Sequence, residues 1–432
     1  MDGDGREHAV GTEAGLVIEQ RWSHIIPVTF VMYTIAFVDR TNVSLALPSM
    51  SRDLHMDPAQ AGAASGIFFL GYILLQIPAG YLASHWSPKK LIAIMLVLWG
   101  ACSAATGFVQ SWHQFAIARF LLGLAEGGVW PATLVLISRW FPRIERARAN
   151  AYWMLCLPAA VVLSSPISGW ILGRWDWRVL LVSEGILPIL WLIIWLARIN
   201  DYPSQAGWIS PDEREHLERT LRLEADGAVL AAGGSFLSCL LSKHVLVMMV
   251  VSFLISAGTY GYLFWLPSVL ESSSLLPENS ARHFTIGILN AIPYIFAAIG
   301  MILISRHSDR HHERAKHVAA CLGWAGICLI AGALVGSRSP ASAFGLLCLV
   351  GVGSFGLLGP FWSIPTEVLP PAVAGSAFGL IQLSNLGGIV GPTLIGYLNK
   401  RTGNFRDAFI FLGFGWLAGA LLSLLLRAPR AR

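Results

Sequence analysis

The stretch HIIPVTFVMYTIAFVDRTNVS, residues 24–44, places Asp39 and Arg40 side by side near the end of a long apolar run. The run is long enough to cross a bilayer, which requires roughly 20 predominantly apolar residues. A charged residue at the centre of such a helix costs roughly 2.5–3.5 kcal/mol on insertion scales. The pair therefore indicates a membrane helix whose charges are stabilised by partners or used for function.

The composition of the whole chain supports a membrane protein. Of its 432 residues, 55% are hydrophobic and only 13% are charged, whereas soluble domains carry about 25% charged residues. The first 21 residues are polar and contain no apolar core, so we expect no cleavable signal peptide. The six cysteines form no CxxC pair, and we predict neither a metal site nor a cofactor.

Twelve apolar runs of spanning length predict an all-α membrane protein with twelve transmembrane helices. We expect them near 24–47, 59–82, 91–109, 113–138, 147–171, 179–198, 244–270, 284–305, 317–336, 341–365, 373–398 and 407–427. The longest polar stretch, 199–243, separates the sixth run from the seventh. We therefore predict an N-terminal six-helix bundle (1–198), a cytoplasmic linker (199–243) and a C-terminal six-helix bundle (244–432).

The distribution of basic residues predicts the orientation of these helices. If the N-terminus is cytoplasmic, 20 of the 30 Lys and Arg residues lie inside, 8 lie outside and 2 lie within the spans. Cytoplasmic loops normally carry this excess, so we expect both termini to be cytoplasmic. The basic balance then needs no nucleic-acid partner. The expected partner is membrane lipid, and we expect a monomer.

The two predicted halves carry similar basic loops at equivalent positions. The second span ends in GYLASHWSPKK (80–90) and the eighth in ISRHSDRHHERAK (304–316), both short basic loops. Matching halves of six helices are typical of transporters built from parallel repeats, whose substrate site lies between the halves near the membrane midplane.

The sequence resembles the major facilitator superfamily in three motifs. They are DR at 39–40 in the first span, R-x6-E at 119–126 in the fourth, and P-x2-A-x-W-I-S at 203–210 in the linker. More narrowly it resembles the anion:cation symporter family, whose bacterial members import organic acids such as galactonate, glucarate, tartrate, phthalate and 4-hydroxyphenylacetate. The resemblance covers essentially the whole chain. It implies the major facilitator fold in a bacterial inner membrane, with proton symport by alternating access.

The chain departs from the superfamily pattern in the loop after the second span. An Asp-Arg pair is usual there, but Ser84 and His85 occupy these positions. The second-half copy keeps Asp309 and Arg310. One contact that normally holds the two halves together is therefore in question.

Four ionisable residues lie well inside the predicted spans: Asp39, Arg40, Arg119 and Glu126. Asp39 and Arg40 are consecutive, so they point about 100° apart on a helix. Arg119 and Glu126 are two turns apart and share one helix face. We expect two of the charges to pair across the first and fourth spans, with the others facing a central cavity.

These charges suit an anion carrier coupled to protons. Arg40 offers a planar fork for a carboxylate, Asp39 and Glu126 can load and release a proton, and Arg119 would pair with a deprotonated carboxylate. The family resemblance implies the same roles for Arg40, Asp39 and Glu126. The alternative is a buried ion-pair network that only joins the first helix to the fourth.

Further substrate contacts are expected from polar and aromatic residues in other spans. The resemblance implies that Tyr72 binds substrate, and Gln76 lies one turn later. In the second half we select Asn385 and Trp362 as substrate-binding candidates. The weaker candidates are Tyr260, Tyr262 and Asn290.

The sequence narrows the function without naming the substrate. Spans seven to twelve carry no embedded Lys or Arg, which favours a carboxylate or sulfonate over an organophosphate. In the fifth span the family's galactonate member has a glutamine that binds substrate, whereas this chain has Leu157-Pro158. Galactonate itself is therefore disfavoured.

No P-loop, GxSxG or HExxH motif is present, and we predict no enzymatic activity. An exporter of organic acids, or a multidrug antiporter of the same superfamily, remains the alternative.

Overall fold

The computed structural model describes residues 10–230, 242–276, 281–311, 313–368 and 380–426, and these residues form helices and loops without strands. Within them, eleven helices are long and apolar enough to cross a membrane. We number them as spans 1–10 and 12: Gln20–Asp53, Pro58–His85, Pro88–Thr106, Trp112–Trp140, Arg143–Arg174, Trp177–Arg198, Lys243–Glu271, Arg282–His311, Arg314–Val335, Pro340–Pro365 and Arg406–Ser423. Each overlaps its predicted run.

The remaining predicted run, 373–398, begins in residues outside the described ranges. Its described part contains a 3₁₀ turn, Leu383–Leu386, and a helix, Gly387–Thr402. We call this segment span 11. The all-α architecture predicted from the sequence is therefore confirmed.

Several spans consist of two helices separated by a short break. The component helices are Pro58–Gly66 and Phe68–His85 in span 2, Trp112–Glu126 and Val129–Trp140 in span 4, Arg143–Met154 and Cys156–Arg174 in span 5, and Pro340–Gly356 and Leu358–Val368 in span 10. The helix of span 1 itself begins at Val10. The break in span 4 directly follows Glu126, so this carboxyl lies at the end of a helix.

Polar residues define where the spans begin. The hydroxyl of Ser87 accepts a hydrogen bond from the Lys90 amide at 3.0 Å, and Ser111 and Ser339 cap spans 4 and 10 in the same way. Asp57 and Gln60 form a reciprocal capping box at the start of span 2. These side chains satisfy helix amides that have no partner in the first turn.

The predicted linker contains a 3₁₀ turn, Pro203–Gln205, and a helix, Pro211–Leu230. Ser210 accepts from the Glu213 amide at 3.3 Å, as its position before Pro211 predicts. Residues 231–241 lie outside the described ranges. The three-part division at 199–243 stays a prediction.

Glycines bring spans 2 and 4 into close contact. A Cβ atom at Gly123 would lie 1.9 Å from the Phe68 carbonyl oxygen, and one at Gly71 would lie 2.1 Å from that of Phe120. Only hydrogen fits at such positions. This approach places the rings of Phe68 and Tyr72 beside the buried charges of the first half.

Several pairs of spans bring the two halves into contact. Span 1 contacts span 7, span 2 contacts span 11, and span 5 contacts span 8. In the last pair, Asn290 donates to the Ser165 hydroxyl at 2.9 Å. Spans 1, 2, 4, 5, 7, 10 and 11 line a cavity between the halves.

Ion pairs join the halves at the end of the bundle where span 1 terminates. Arg52 pairs with Glu271 at 3.1 Å, and Asp57 pairs with Lys400 at 2.9 Å. The hydrogen bond from Lys400 holds the pKa of Asp57 below its usual value. The ionised form of Asp57 is therefore the one that this contact favours.

At the opposite end, the loop that lacks the usual Asp-Arg pair has a different restraint. Arg139 donates to the backbone carbonyls of Ala83 and Ser84 at 3.1 and 2.9 Å. Carbonyl oxygens are present whatever the side chain, so Arg139 makes this contact although Ser84 and His85 replace the usual Asp-Arg pair.

We predict that Gly123→Ala destabilises the protein. Alanine favours a helix by about 1 kcal/mol over glycine, but its methyl group would overlap the Phe68 carbonyl, and overpacking typically costs about 1–3 kcal/mol. Thermal unfolding in detergent should show a lower midpoint. Gly323→Ala is the matched control, because no heavy atom lies within 4 Å of its Cβ position. Equal midpoints for the two variants would contradict the packing argument.

Candidate functional site

A buried ion pair between Arg40 and Glu126 lies at the centre of the first half. Nη2 of Arg40 is 2.7 Å from Oε2 of Glu126, and the two residues are 3% and 0% exposed. This confirms the expected pairing across spans 1 and 4. Removing charges from water is costly, and their mutual attraction offsets the cost only when the geometry is good.

Aromatic rings enclose the guanidinium of Arg40. Its central carbon lies 4.7 Å from the ring centroid of Tyr72 and 5.0 Å from that of Phe68, within the range of cation–π attraction. Nη1 also donates to the Tyr260 hydroxyl of span 7 at 3.5 Å. Arg40 of the first half is therefore linked to the second half through Tyr260.

Asp39 points away from this ion pair. Its Oδ1 accepts a hydrogen bond from the Ser103 hydroxyl of span 3, while its Oδ2 has no hydrogen-bond partner among the described residues. The side chain is 2% exposed. The divergent directions predicted for consecutive helix residues are thus observed.

Arg119 does not form the carboxylate pair expected for it. Its guanidinium is fully buried and lies 4.8 Å from the ring centroid of Phe68, and none of its nitrogens has a hydrogen-bond partner among the described residues. The reason is geometric: Arg40 approaches Glu126 from span 1 and takes Oε2, whereas Arg119 lies two turns away on Glu126's own helix.

A cavity with an empty volume of about 790 Å³, including the part open to solvent, separates the two halves. Among the predicted substrate-binding residues, Tyr72, Trp362 and Asn385 line it. Arg40 and Gln76 do not line it. Arg40 lies directly behind Tyr72 and Tyr260, which do.

The two sides of the cavity differ in chemistry. The first-half wall is mainly aromatic and includes Tyr33, Phe37, Tyr72 and Trp130. The second-half wall is rich in hydroxyl and amide groups: Ser252, Ser256, Thr259, Tyr260, Ser354, Gln382 and Asn385. The first four of these belong to span 7 at helical spacing and so share one face.

The remaining candidates have local partners. Asn385 donates to Oε1 of Gln382 at 3.0 Å, so the two amides form one unit at the cavity wall. Gln76 is buried, and its Nε2 has no hydrogen-bond partner among the described residues. Tyr262 faces away from the cavity and donates to the Leu347 carbonyl at 2.9 Å, and Asn290 bridges to span 5. The last two therefore have structural contacts.

Sequence reasoning missed a fifth embedded ionisable residue. Glu184 of span 6 is 6% exposed and accepts hydrogen bonds from Asn42 of span 1 and Ser168 of span 5. Its position in VLLVSEGILPILW, inside the predicted run 179–198, could have identified it as an embedded carboxyl. The hydroxyl face of span 7 was also missed, although its four-residue spacing is visible in the sequence.

Comparison with known proteins identifies relatives over nearly the whole chain. A family model described as Major Facilitator Superfamily matches residues 29–392. A protein named "Putative tartrate transporter" from Agrobacterium vitis is 35% identical, covering 94% of this chain and 91% of the relative. A "Quinolone resistance transporter" from Acinetobacter baumannii is 28% identical, covering 94% of each chain.

A solved structure supports the fold independently. The inward-open structure of the xylose transporter XylE from E. coli superimposes with a TM-score of 0.75 at 15% identity, covering 95% of this chain and 98% of that one. At this identity the likeness concerns the fold alone.

We predict that Arg40→Gln destabilises the protein by about 3–5 kcal/mol, because removing one partner leaves the other charge buried and uncompensated. The double variant Arg40→Gln/Glu126→Gln should recover most of this loss, since no charge of the pair remains. Thermal unfolding of substrate-free protein in detergent measures both. A double variant as unstable as the sum of the two single variants would show that the pair is not coupled.

Proposed function

Because the chain belongs to the major facilitator superfamily, we propose that it imports a small organic anion together with protons. Family membership makes it a multi-pass membrane transporter and not an enzyme. The finer proposal rests on one observation: the buried arginine next to the cavity is paired with a carboxyl group that can be protonated.

The substrate carboxylate and Glu126 would compete for Arg40. In the substrate-free arrangement, Oε2 of Glu126 occupies the guanidinium at 2.7 Å. Protonation of Glu126 removes its negative charge and weakens this pair. Arg40 then becomes available to an anion that enters past Tyr72 and Tyr260. Anion binding would therefore follow proton binding.

The total charge of the site supports the same order. With both carboxylates ionised, Asp39 and Glu126 balance Arg40 and Arg119. Protonating the carboxylates leaves an excess positive charge in a buried site, where charge is poorly tolerated. An incoming anion restores neutrality. Asp39 and Glu126 are the proposed proton carriers, and Arg119 keeps the local field positive.

The cavity walls suggest the class of anion. A carboxylate bound near Arg40 would face the span 7 hydroxyls, of which Thr259 Oγ1 has no hydrogen-bond partner among the described residues. Asn385 and Gln382 extend this polar side, while Trp362 and Tyr72 provide aromatic faces. These groups suit a compact hydroxy acid, and tartrate is the first compound to test because a relative bears its name.

For localisation we propose the bacterial inner membrane, with both termini cytoplasmic. The excess of Lys and Arg in the corresponding loops supports this orientation.

Uptake into proteoliposomes tests the proposal. A panel of organic acids that includes tartrate, a sugar diacid, an aromatic acid and a sulfonate is offered outside, with the exterior more acidic than the interior. We expect at least one anion to accumulate above its external concentration. No stimulation of any anion by the gradient would refute proton symport.

Glu126→Gln should weaken accumulation driven by the pH gradient, because only Asp39 of the two proposed carriers remains, while leaving exchange of substrate across the membrane. The amide cannot carry the proton but preserves the shape of the side chain. Glu218→Gln is the matched control and should behave as wild type, because Glu218 is a half-buried residue of the linker helix whose ion-pair partner among the described residues is Arg222 at 3.7 Å. Full pH dependence in Glu126→Gln would exclude this residue as a proton carrier.

The alternative function is proton-coupled export, which the similarity to a quinolone resistance transporter favours. The same vesicles distinguish the two directions. An antiporter would accumulate its substrate when the interior, and not the exterior, is the acidic side.

A further inference from the structure

We propose that Glu184 is an additional proton-binding residue of this transporter, which exchanges protons with Asp39 from the end of the bundle where span 1 terminates. The inference rests on the proposed proton symport. It starts from a buried carboxyl that the anion site does not use.

The position of Glu184 places it between Asp39 and one end of the bundle. Span 6 begins at Trp177, so Glu184 lies two turns inside it. At that end, Arg178 of span 6 and Asp53 of span 1 pair at 2.6 Å. Asn42, which donates to Glu184, lies between Asp39 and Asp53 on span 1. Glu184 is therefore nearer to this end than Asp39 is.

The surroundings of Glu184 favour a proton. Its hydrogen-bond donors, Asn42 and Ser168, are neutral, and within the described part of the chain no Lys, Arg or His forms an ion pair with it. Its Oε2 has no hydrogen-bond partner there. An ionised carboxylate without a cation is costly to bury, and proton binding removes that cost. Glu126, by contrast, has Arg40.

Asp39 and the Asn42 donor of Glu184 belong to the same helix. They are three residues apart and thus neighbours on one face of span 1, so Asn42 holds the Glu184 carboxyl against the face of span 1 that also carries Asp39. Two such carboxyls repel when both are ionised. A proton on one therefore favours the ionised form of the other, and the pair titrates as a unit.

Proton transfer between these groups is balanced. The proton leaves the Glu184 carboxyl, which becomes a carboxylate, and the Asp39 carboxylate becomes the acid. Oδ2 of Asp39 and Oε2 of Glu184 both lack other hydrogen-bond partners among the described residues. The transfer occurs directly or through one water. The competing interpretation is that a permanently protonated Glu184 only joins spans 1, 5 and 6.

The test measures how strongly a pH gradient drives substrate accumulation. In proteoliposomes with the membrane potential clamped at zero, the logarithm of the accumulation ratio at equilibrium rises with the pH difference, and the slope equals the number of protons moved per substrate. Because Asp39 and Glu126 still carry the protons, we expect Glu184→Gln to keep this slope but to lower the initial rate of pH-driven uptake several-fold, with substrate exchange at equal pH retained. Glu218→Gln is the matched control and should keep the wild-type slope and the wild-type rate.

The outcomes separate this inference from the proposed function. A zero slope in wild-type protein would refute proton symport itself. A wild-type slope above zero, with pH-driven uptake in Glu184→Gln slowed no more than substrate exchange at equal pH, would overturn only the role of Glu184. If the variant neither exchanges nor accumulates substrate, infrared titration of the folded protein decides. A titrating carboxyl band lost in Glu184→Gln supports the proposal, and identical bands refute it.

Discussion

The ion pair between Arg40 and Glu126 is the interaction around which the first half is organised. Two fully buried charges exclude most arrangements of spans 1 and 4, because any rotation that separates them leaves both uncompensated. The same pair stands one tyrosine away from the cavity. The contact that orders the helices is thus also the contact that a ligand carboxylate would have to replace.

Close helix packing makes this arrangement possible. The glycines that join spans 2 and 4 allow Phe68 to contact both embedded arginines from one position. A quadrupolar ring offers a cation attraction without adding a charge. Arg119 in particular depends on it, since it has no hydrogen-bond partner in the described part of the chain. Span 2 therefore contributes to the electrostatics of a site whose charges it does not carry.

Much of this organisation can be predicted from the sequence, because hydrophobic length and charge are local properties. The spans follow from hydrophobic length, and the divergent directions of Asp39 and Arg40 follow from helix geometry. The burial cost of their charges predicts an ion pair between spans 1 and 4. The sequence does not determine which arginine pairs with Glu126. Arg40 and Arg119 are both possible partners from their sequence positions, and the depth and rotation of two separate helices decide between them. The lining of the cavity likewise depends on how distant helices pack together. The sequence therefore does not show that Tyr260 lines the cavity and that Gln76 does not.

The uneven placement of embedded charge has a consequence for how such a protein diversifies. The five buried ionisable groups discussed here all belong to spans 1, 4 and 6, whereas the hydroxyl and amide wall belongs to spans 7, 10 and 11. On the proposed function, energy coupling and cargo selection are then inherited as separate modules. Substitutions in span 7 would let a lineage exchange one nutrient for another without rebuilding its proton chemistry. A gene duplicate of this chain could thus acquire a new cargo by few and neutral steps.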